Sequence, residues 1–377
     1  MMHCPQDLLA KLVSYQSLTP IDAGCQLYMM NYLRQIGFTC QILDNYPVNN
    51  FFAYLGAASP LLLFAGHTDV VAAGELAAWD SDPFVLTQRD HRLYARGSAD
   101  MKGGLACMLD AVARFVKDYP TFAGGLGFLI TSGEEGDAFH LGTPYVLEQL
   151  SNDGIRPTYC IVGEPSSETI VGDAIKIGRR GSLSADIVVH GKQGHVAFPH
   201  LAINPIHILS PVLHELTTMI WDHGNQYFPP TSMQITQLQA GGLGSNVIPG
   251  QIILQLNWRF STEQTAASLQ ENVARCFERH NLMPEITWRL NGNPYLTTYG
   301  ELLKQTVNAI VEITGKKPML TTNGGTSDGR FIAACGIEVI ELGMRYSTIH
   351  QANECIDATD LQMLSNIYYL ICKKLIL

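Results

Sequence analysis

Leu61-Leu62-Leu63-Phe64-Ala65-Gly66-His67-Thr68-Asp69-Val70-Val71 decides the fold. Five apolar residues lead into a glycine, and then a histidine and an aspartate stand two positions apart. The apolar run is too short for an ordinary helix and reads as a strand buried on both faces, the kind found inside parallel sheets. Chemistry in such sheets sits just beyond the carboxyl ends of the strands, where His67 and Asp69 fall. In extended chain, positions i and i+2 point to the same side. The Asp69 carboxylate is therefore expected to accept the Nδ1–H of His67, which leaves Nε2 free for a metal. Taken alone, the run reads equally as a polar strand end with a capping histidine.

Three other stretches place acids in similar positions. Tyr94-Ala95-Arg96-Gly97-Ser98-Ala99-Asp100-Met101-Lys102-Gly103-Gly104 crowds small residues around one aspartate, ahead of helically spaced Leu105, Met108, Leu109, Val112 and Val116. Asp100 thus lies on a tight loop before a helix, where backbone can approach a ligand closely; a helix-capping aspartate is the blander reading. Leu126-Gly127-Phe128-Leu129-Ile130 is a second strand and ends in Thr131-Ser132-Gly133-Glu134-Glu135-Gly136. Two adjacent carboxylates need a cation or a proton between them unless solvent surrounds them. Tyr159-Cys160-Ile161-Val162-Gly163 is a further strand and ends in Glu164-Pro165. His350, in Ser347-Thr348-Ile349-His350-Gln351-Ala352-Asn353-Glu354, follows a last strand at 337–342.

A chain of 377 residues exceeds one ordinary core, so two domains are expected. A hydrophobic content of 46% with 15% charge describes a globular protein. No apolar stretch approaches the ~18 residues that cross a bilayer. The segment at 1–7 lacks a basic region followed by an apolar core, so no secretory leader is expected. Nine scattered cysteines without a CxxC pair read as small buried hydrophobes of a reducing cytoplasm. A formal net charge of −10 argues against nucleic acid or an anionic membrane as partner.

Thr19-Pro20-Ile21-Asp22 predicts a helix start, with Thr19 as N-cap and Pro20 at the first helical position. Cys25, Tyr28, Met29, Tyr32, Leu33 and Ile36 continue it at helical spacing, and Gly37 ends it. Near residue 180 the pattern changes to long alternating strands. In 251–260, Ile252, Leu254, Leu256, Trp258 and Phe260 face one way; Ile286, Trp288 and Leu290 alternate likewise. This is antiparallel sheet with one wet face, with helices near 204–220 and 263–280 between the strands. Strand–helix alternation then resumes, with a helix over 299–310 and a closing helix over 358–377. The expected organisation is a first domain of 1–180 plus 293–377 and an inserted α+β domain of 181–292. No internal repeat or low-complexity segment is present.

Together the strand ends and adjoining loops supply His67, Asp69, Asp100, Glu134, Glu135, Glu164 and His350, all oxygen or nitrogen donors. Five ligands are too many for one open zinc site but suit two metals that share a carboxylate. One glutamate then remains unbound to take a water's proton and pass it to a leaving amine. That chemistry is the hydrolysis of an amide or ester.

The sequence resembles the co-catalytic zinc aminoacylase/carboxypeptidase family. The resemblance rests on Gly66-His67-Thr68-Asp69-Val70-Val71, Gly97-Ser98-Ala99-Asp100-Met101-Lys102-Gly103, Glu134-Glu135-Gly136, Gly163-Glu164-Pro165-Ser166-Ser167 and Gly191-Lys192-Gln193-Gly194-His195-Val196-Ala197. Gly178-Arg179-Arg180-Gly181-Ser182 and Gly324-Gly325-Thr326-Ser327-Asp328-Gly329-Arg330-Phe331 point within the family to its desuccinylase branch. The implied fold is α/β: a mixed, mostly parallel sheet flanked by helices, zinc-exopeptidase-like, with an inserted dimerisation domain. The implied activity is hydrolysis of N-succinyl-LL-2,6-diaminopimelate to succinate and LL-2,6-diaminopimelate, a step of bacterial lysine and diaminopimelate biosynthesis, by a cytoplasmic homodimer.

The resemblance also implies roles. His67 and Glu164 hold one zinc, Glu135 and His350 hold the other, and Asp100 bridges them, which makes two Zn2+ per subunit with Co2+ or Mn2+ as substitutes. Asp69 orients His67, and Glu134 is the general base and then acid. The Asp100–Met101 peptide is cis in relatives. His195 reaches into the partner's active site to bind the oxyanion, and Arg179, Asn246, Arg259, Gly325, Thr326 and Ser327 match positions that contact substrate. Arg179 and Arg259 suit a substrate with three carboxylates, since a guanidinium grips a carboxylate with two parallel bonds; a structural ion pair or the polar face of a strand is the alternative for each.

Two departures stand out. Relatives usually carry Asp where this chain has Gly133, and Pro-x-Asn where it has Met344-Arg345-Tyr346, with Arg345 the nearest replacement for the lost substrate contact. The competing assignments are acetylornithine deacetylase or dipeptidase chemistry on the same scaffold, and a metal-stabilised binding protein without catalysis, which has no need of an unliganded Glu134.

Overall fold

The computed structural model describes residues 4–57, 59–242 and 244–377. Two units emerge: one of Met1–Gly178, Leu296–Thr321 and Ser327–Leu377, the other of Arg179–Tyr295 with Thr322–Thr326.

The first unit is built on an eight-stranded sheet. Its strands, labelled in chain order, are β1 (Thr39–Ile42), β2 (Asn50–Gly56), β3 (Leu61–His67), β4 (Gly125–Thr131), β5 (Tyr159–Val162), β6 (Ala174–Lys176), β7 (Met319–Thr321) and β8 (Glu338–Glu341). Their spatial order is β1-β2-β4-β3-β5-β8-β6-β7. β4, β3, β5 and β8 run parallel, while β1 and β2 add antiparallel pairs at one edge. Every residue of β3 and β4 is buried, as their unbroken apolar runs require. Helices Pro5–Val13, Lys102–Asp118 and Ala358–Ile376 pack on one another, and their apolar faces share one core with the sheet. This is the α/β architecture implied by the sequence.

Glycine lets the helix after Asp100 seat this closely. A Cβ on Gly104 would stand 2.8 Å from the carbonyl oxygen of Gly163, just past β5. No larger residue fits there without pushing helix and strand end apart.

The helix start expected at Thr19-Pro20 lies elsewhere: the helix spans Cys25–Gln35, behind a left-handed Gly24. Thr19 N–H is taken by the carbonyl of Val70, and the Asp22 carboxylate accepts the N–H groups of Gly24 and Gln26. Asp22 is thus the acid that satisfies the free donors of the helix end. Likewise the helix placed at 299–310 begins only at Glu301 and runs to Thr314, leaving Tyr299 exposed before it.

The second unit holds a four-stranded antiparallel sheet in the order Ser232–Ala240, Gln251–Phe260, Gly181–His190, Glu285–Gly292. Helices Pro205–Thr218 and Ala266–Arg279 share its core. Ile252, Leu254, Leu256, Trp258 and Phe260 are all buried, as the alternation predicts. Leu290 departs from that pattern and is exposed, on an edge strand whose ladder is irregular between Ser182 and Leu183.

Candidate metal centre

The chain leaves β3 for β4 on one side and then passes back over β3 to β5 on the other. Such a switch in direction opens a crevice at the carboxyl ends of the strands. His67 ends β3, Glu134 and Glu135 follow β4, and Glu164 follows β5. Asp100 comes from the loop between strand Arg92–Tyr94 and helix Lys102–Asp118. His350 comes from the loop between β8 and strand Cys355–Asp357 and adopts a left-handed backbone, with φ of 60°.

The structure brings these residues together. His67 Nε2 lies 3.4 Å from Asp100 Oδ1 and 3.5 Å from Glu164 Oε1. His350 Nε2 lies 3.4 Å from Asp100 Oδ2 and 3.1 Å from Glu135 Oε1. The two oxygens of Asp100 therefore face two separate groups, each of one imidazole and one further carboxylate. Glu134 also offers an oxygen within 4.8 Å of donor atoms on His67 and Glu164. The Asp100–Met101 peptide is cis.

The donor set fits divalent metal. His67 Nε2, Asp100 Oδ1 and Glu164 Oε1 are buried without a hydrogen-bond partner, an unfavourable arrangement unless something else satisfies them. Tetrahedral zinc with bonds of about 2.0–2.2 Å keeps its ligand atoms roughly 3.3–3.6 Å apart, and the separations around His67 match that spacing.

The electrostatics describe a site short of positive charge. Burial pushes the Glu134 carboxyl well above the usual carboxylate range, with Glu164 adding to the effect. Burial likewise lifts Glu164 to about 7, helped by Asp100. Burial would also raise Asp100, but His350 and His67 outweigh it and hold this carboxyl low. Asp100 and Glu135 raise His350 to about 10. For His67, burial acts downward and is overcome by Asp100 and Glu164, so the imidazole sits well above its usual value.

Asp69 corrects one expectation. His67 Nδ1 lies 2.9 Å from the backbone carbonyl of Asp69 and 3.6 Å from its carboxylate. β3 ends at His67, and beyond it the Asp69 carboxylate is turned toward the loop that follows β4. The carboxylate instead accepts the N–H groups of Glu134, at 3.4 Å, and Glu135, at 3.1 Å. It fixes the backbone that carries the glutamate pair, while the carbonyl sets the imidazole tautomer.

Arg345 is no substitute for a substrate contact. Its guanidinium is held by Asp357 at 2.5 Å and by Asp360 at 2.8 Å, and Tyr346 donates its hydroxyl proton to Glu168. Gly133 also has a local explanation, since Val48 fills the space that any side chain there would need.

Of the residues matched to substrate contacts, Thr326 is half-buried and Gly325 exposed, and the buried Ser327 donates its hydroxyl proton to Glu341. Buried Arg179 donates to the carbonyl of Asn323 at 2.7 Å, and Arg259 is half-buried opposite Ser182 and Ser232. His195 and Asn246 are exposed on a short pairing of Gly194–His195 with Val247–Ile248, where His195 Nδ1 accepts the N–H of Ala197.

One residue escaped the sequence reading. Glu354 is fully buried and ion-paired with Arg96 at 2.8 Å. The signal available was an acid followed at once by the apolar Cys355 and Ile356 of a strand.

Comparison with known proteins agrees with the geometry. The chain is 60% identical over 372 residues to succinyl-diaminopimelate desuccinylase of Legionella pneumophila (strain Corby), covering 99% of each chain. Its fold matches an M20 family metallo-carboxypeptidase from Sulfolobus solfataricus with a TM-score of 0.82 at 17% identity, over 99% of each chain. A dinuclear metal binding peptidase from the M20 family of Bacillus subtilis matches with a TM-score of 0.73 at 15% identity, over 98% of this chain and 97% of that one. Residues 63–374 match the model of Peptidase family M20/M25/M40, and the chain belongs to that family.

Proposed function

We propose that this metallohydrolase cleaves the amide of N-succinyl-LL-2,6-diaminopimelate, releasing succinate and LL-2,6-diaminopimelate for lysine and diaminopimelate biosynthesis. The observation that carries the reading is Asp100, whose two oxygens face His67 and His350 separately. The substrate comes from the desuccinylase of Legionella pneumophila, to which the chain is 60% identical. His67 and Glu164 would hold one Zn2+, Glu135 and His350 the other, and Asp100 would bridge them; Co2+ or Mn2+ suits the same donors. When bound, such a pair polarises an amide carbonyl and makes water acidic enough to attack it.

The chain's own groups do the rest. The Glu134 carboxylate accepts the proton of the attacking water and delivers it to the departing amine nitrogen. Asp69 keeps that carboxylate in reach by gripping the N–H groups of Glu134 and Glu135. Arg179, Asn246, Arg259, Gly325, Thr326 and Ser327 are the proposed substrate contacts, with the guanidiniums directed to carboxylates.

A homodimer in which His195 serves the partner's site completes the proposal. His195 stands beside exposed apolar side chains, Phe198 at 54% and Leu201 at 59% exposure, which suit a protein contact. Mixing inactive His195→Ala with inactive Glu134→Ala subunits restores part of the activity if sites are shared; no rescue after proven subunit exchange refutes the sharing. A cytoplasmic location fits nine free cysteines. No helix among the described residues is long and apolar enough to cross a membrane.

The deciding experiment compares hydrolysis of N-succinyl-LL-2,6-diaminopimelate with that of N-acetylornithine and a dipeptide by the metal-loaded protein. Preference for the succinyl substrate supports the assignment. Turnover of either alternative with none of the succinyl compound overturns it.

A further inference from the structure

We propose that Glu354 is a positioning residue for the metal centre: its carboxylate locks the loop at 96–100 so that Asp100 presents one oxygen to each metal. Oε1 accepts the N–H groups of Ala99, at 2.8 Å, and Asp100, at 3.1 Å. Oε2 accepts Arg96 Nη1 at 2.8 Å and the N–H of Gly97 at 3.0 Å. A carboxylate offers about four lone-pair sites, and here each is occupied, so Glu354 has nothing left to give a metal. Its backbone is fixed as well. Its carbonyl accepts the N–H of Ala95 at 3.1 Å, and Cys355 pairs with Tyr94 in the ladder that follows. His350 lies four residues earlier on the same loop, so Glu354 ties together the two loops that supply Asp100 and His350.

Asp100 needs such an anchor. Its carboxylate shares a small space with Glu135 and Glu164, and before metal arrives that crowding drives the loop outward. Holding the loop by its N–H groups leaves Asp100 Oδ1 bare and keeps the two oxygens aimed at His67 and His350. The competing account is a buried ion pair that serves stability alone. Such pairs are a weak source of stability, and that account gives no role to the three loop N–H groups that Glu354 also accepts.

The inference rests on the metal reading above, and the test separates the two. Arg96→Met removes the ion pair but keeps the carboxylate and its three N–H donors. Arg96→Met/Glu354→Met removes the carboxylate without leaving a buried charge alone. Binding of Co2+ is followed by stoichiometry, affinity and visible spectrum, alongside hydrogen exchange of the wild-type segment 96–101 with and without metal. Arg96→Met should bind two Co2+ with the wild-type spectrum, whereas the double variant should lose roughly 10–100-fold in affinity, the usual effect of removing a group that orients a ligand. The wild-type segment should stay protected after metal removal, a measurement that can still refute the proposal if the double variant does not fold. Equal Co2+ binding by the two variants, an equal loss in both, or free exchange at 97–100 once metal is gone overturns the proposal. Wild-type protein that takes up no Co2+ would refute the metal reading itself.

Discussion

Gly133→Ala should disturb both stability and catalysis. A Cβ at this position stands 2.7 Å and 2.9 Å from the two Cγ atoms of Val48 and 3.4 Å from its Cβ, against an optimum of about 3.5–4.0 Å between carbons. Val48 is buried and β-branched, and both its N–H and its carbonyl are bonded to Asn45 at 2.9 Å. Beside it, Ser132 N–H donates to the Asn49 carbonyl and Asn49 N–H to the Ser132 hydroxyl, each at 2.9 Å. The two segments are clamped, so the extra methyl has no easy exit. Overpacking of this kind costs about 1–3 kcal/mol. Relief comes from moving residue 133, which drags Glu134 and Glu135. A shift on the order of 1 Å in catalytic geometry can cost 10²-fold, and a shift of a few tenths should lower kcat/KM by roughly 10-fold. Val48→Ala alone loses buried methyls, yet combined with Gly133→Ala it opens the missing room. The double variant should therefore be more stable than the sum of the single effects, by about 1–2 kcal/mol. Urea midpoints and kcat/KM of the four metal-loaded proteins measure both effects. A Gly133→Ala protein as stable and active as its parent, or strictly additive losses in the double variant, would show that Val48 is not the constraint.

Asp69→Asn sets an amide NH2 against a backbone N–H that the carboxylate now accepts; the protein should fold but bind metal roughly 10–100-fold more weakly, and metal titration with unaltered affinity refutes this. Removing divalent ions with a chelator should lower the apparent Tm, and Zn2+ at 100–1,000 times its Kd should restore about 3–4 kcal/mol; a Tm indifferent to metal contradicts the site. In the second unit, burial pushes the Asp222 carboxyl up, but the hydroxyl and N–H of Thr231, the N–H of Gly224 and the hydroxyl of Ser261 outweigh it and leave it below its ordinary value. A carboxyl lowered by folding contributes stability above its unfolded value of about 3.9 and loses it as pH falls through the folded value. The urea-midpoint gap between wild type and Asp222→Asn should therefore be constant near neutrality and close below about pH 4; a gap unchanged down to pH 2.5 rejects the assignment.

The sequence was legible where one local rule governs. The apolar runs of β3, β4 and β5 and the alternation in 251–260 are set by burial alone, and each formed where the period predicted. The gathering of Asp100, Glu135, Glu164, His67 and His350 was readable because each ends, follows or closely precedes an element whose type was plain. Capping was harder. Thr19-Pro20 has the composition of a helix start, yet Asp22 supplies the cap, and the backbone N–H of Thr19 pairs with Val70, a partner fifty-one positions away. Arg345 looked free to meet a substrate, and only the fold brings Asp357 and Asp360 to it. The edge strand β1 and its neighbour β2 gave no clear period because their exposure is uneven along their length.

The hardest distinction lay among the acids themselves. Asp69 and Glu354 are as buried as His67, stand next to its motif partners and carry the same chemistry as the proposed ligands. Yet their oxygens are filled by backbone N–H groups, Asp69 by those of Glu134 and Glu135, Glu354 by those of Gly97, Ala99 and Asp100. Asp100 and Glu164 instead keep an oxygen bare. A pocket that gathers carboxylates against their mutual repulsion needs both kinds: some to grip the loops, others to face the cations. Nothing in residue type or spacing separates the two, because the difference lies in which N–H groups the fold turns toward each carboxylate. A buried acid beside a metal motif is thus a ligand only when the backbone around it leaves its oxygens unclaimed.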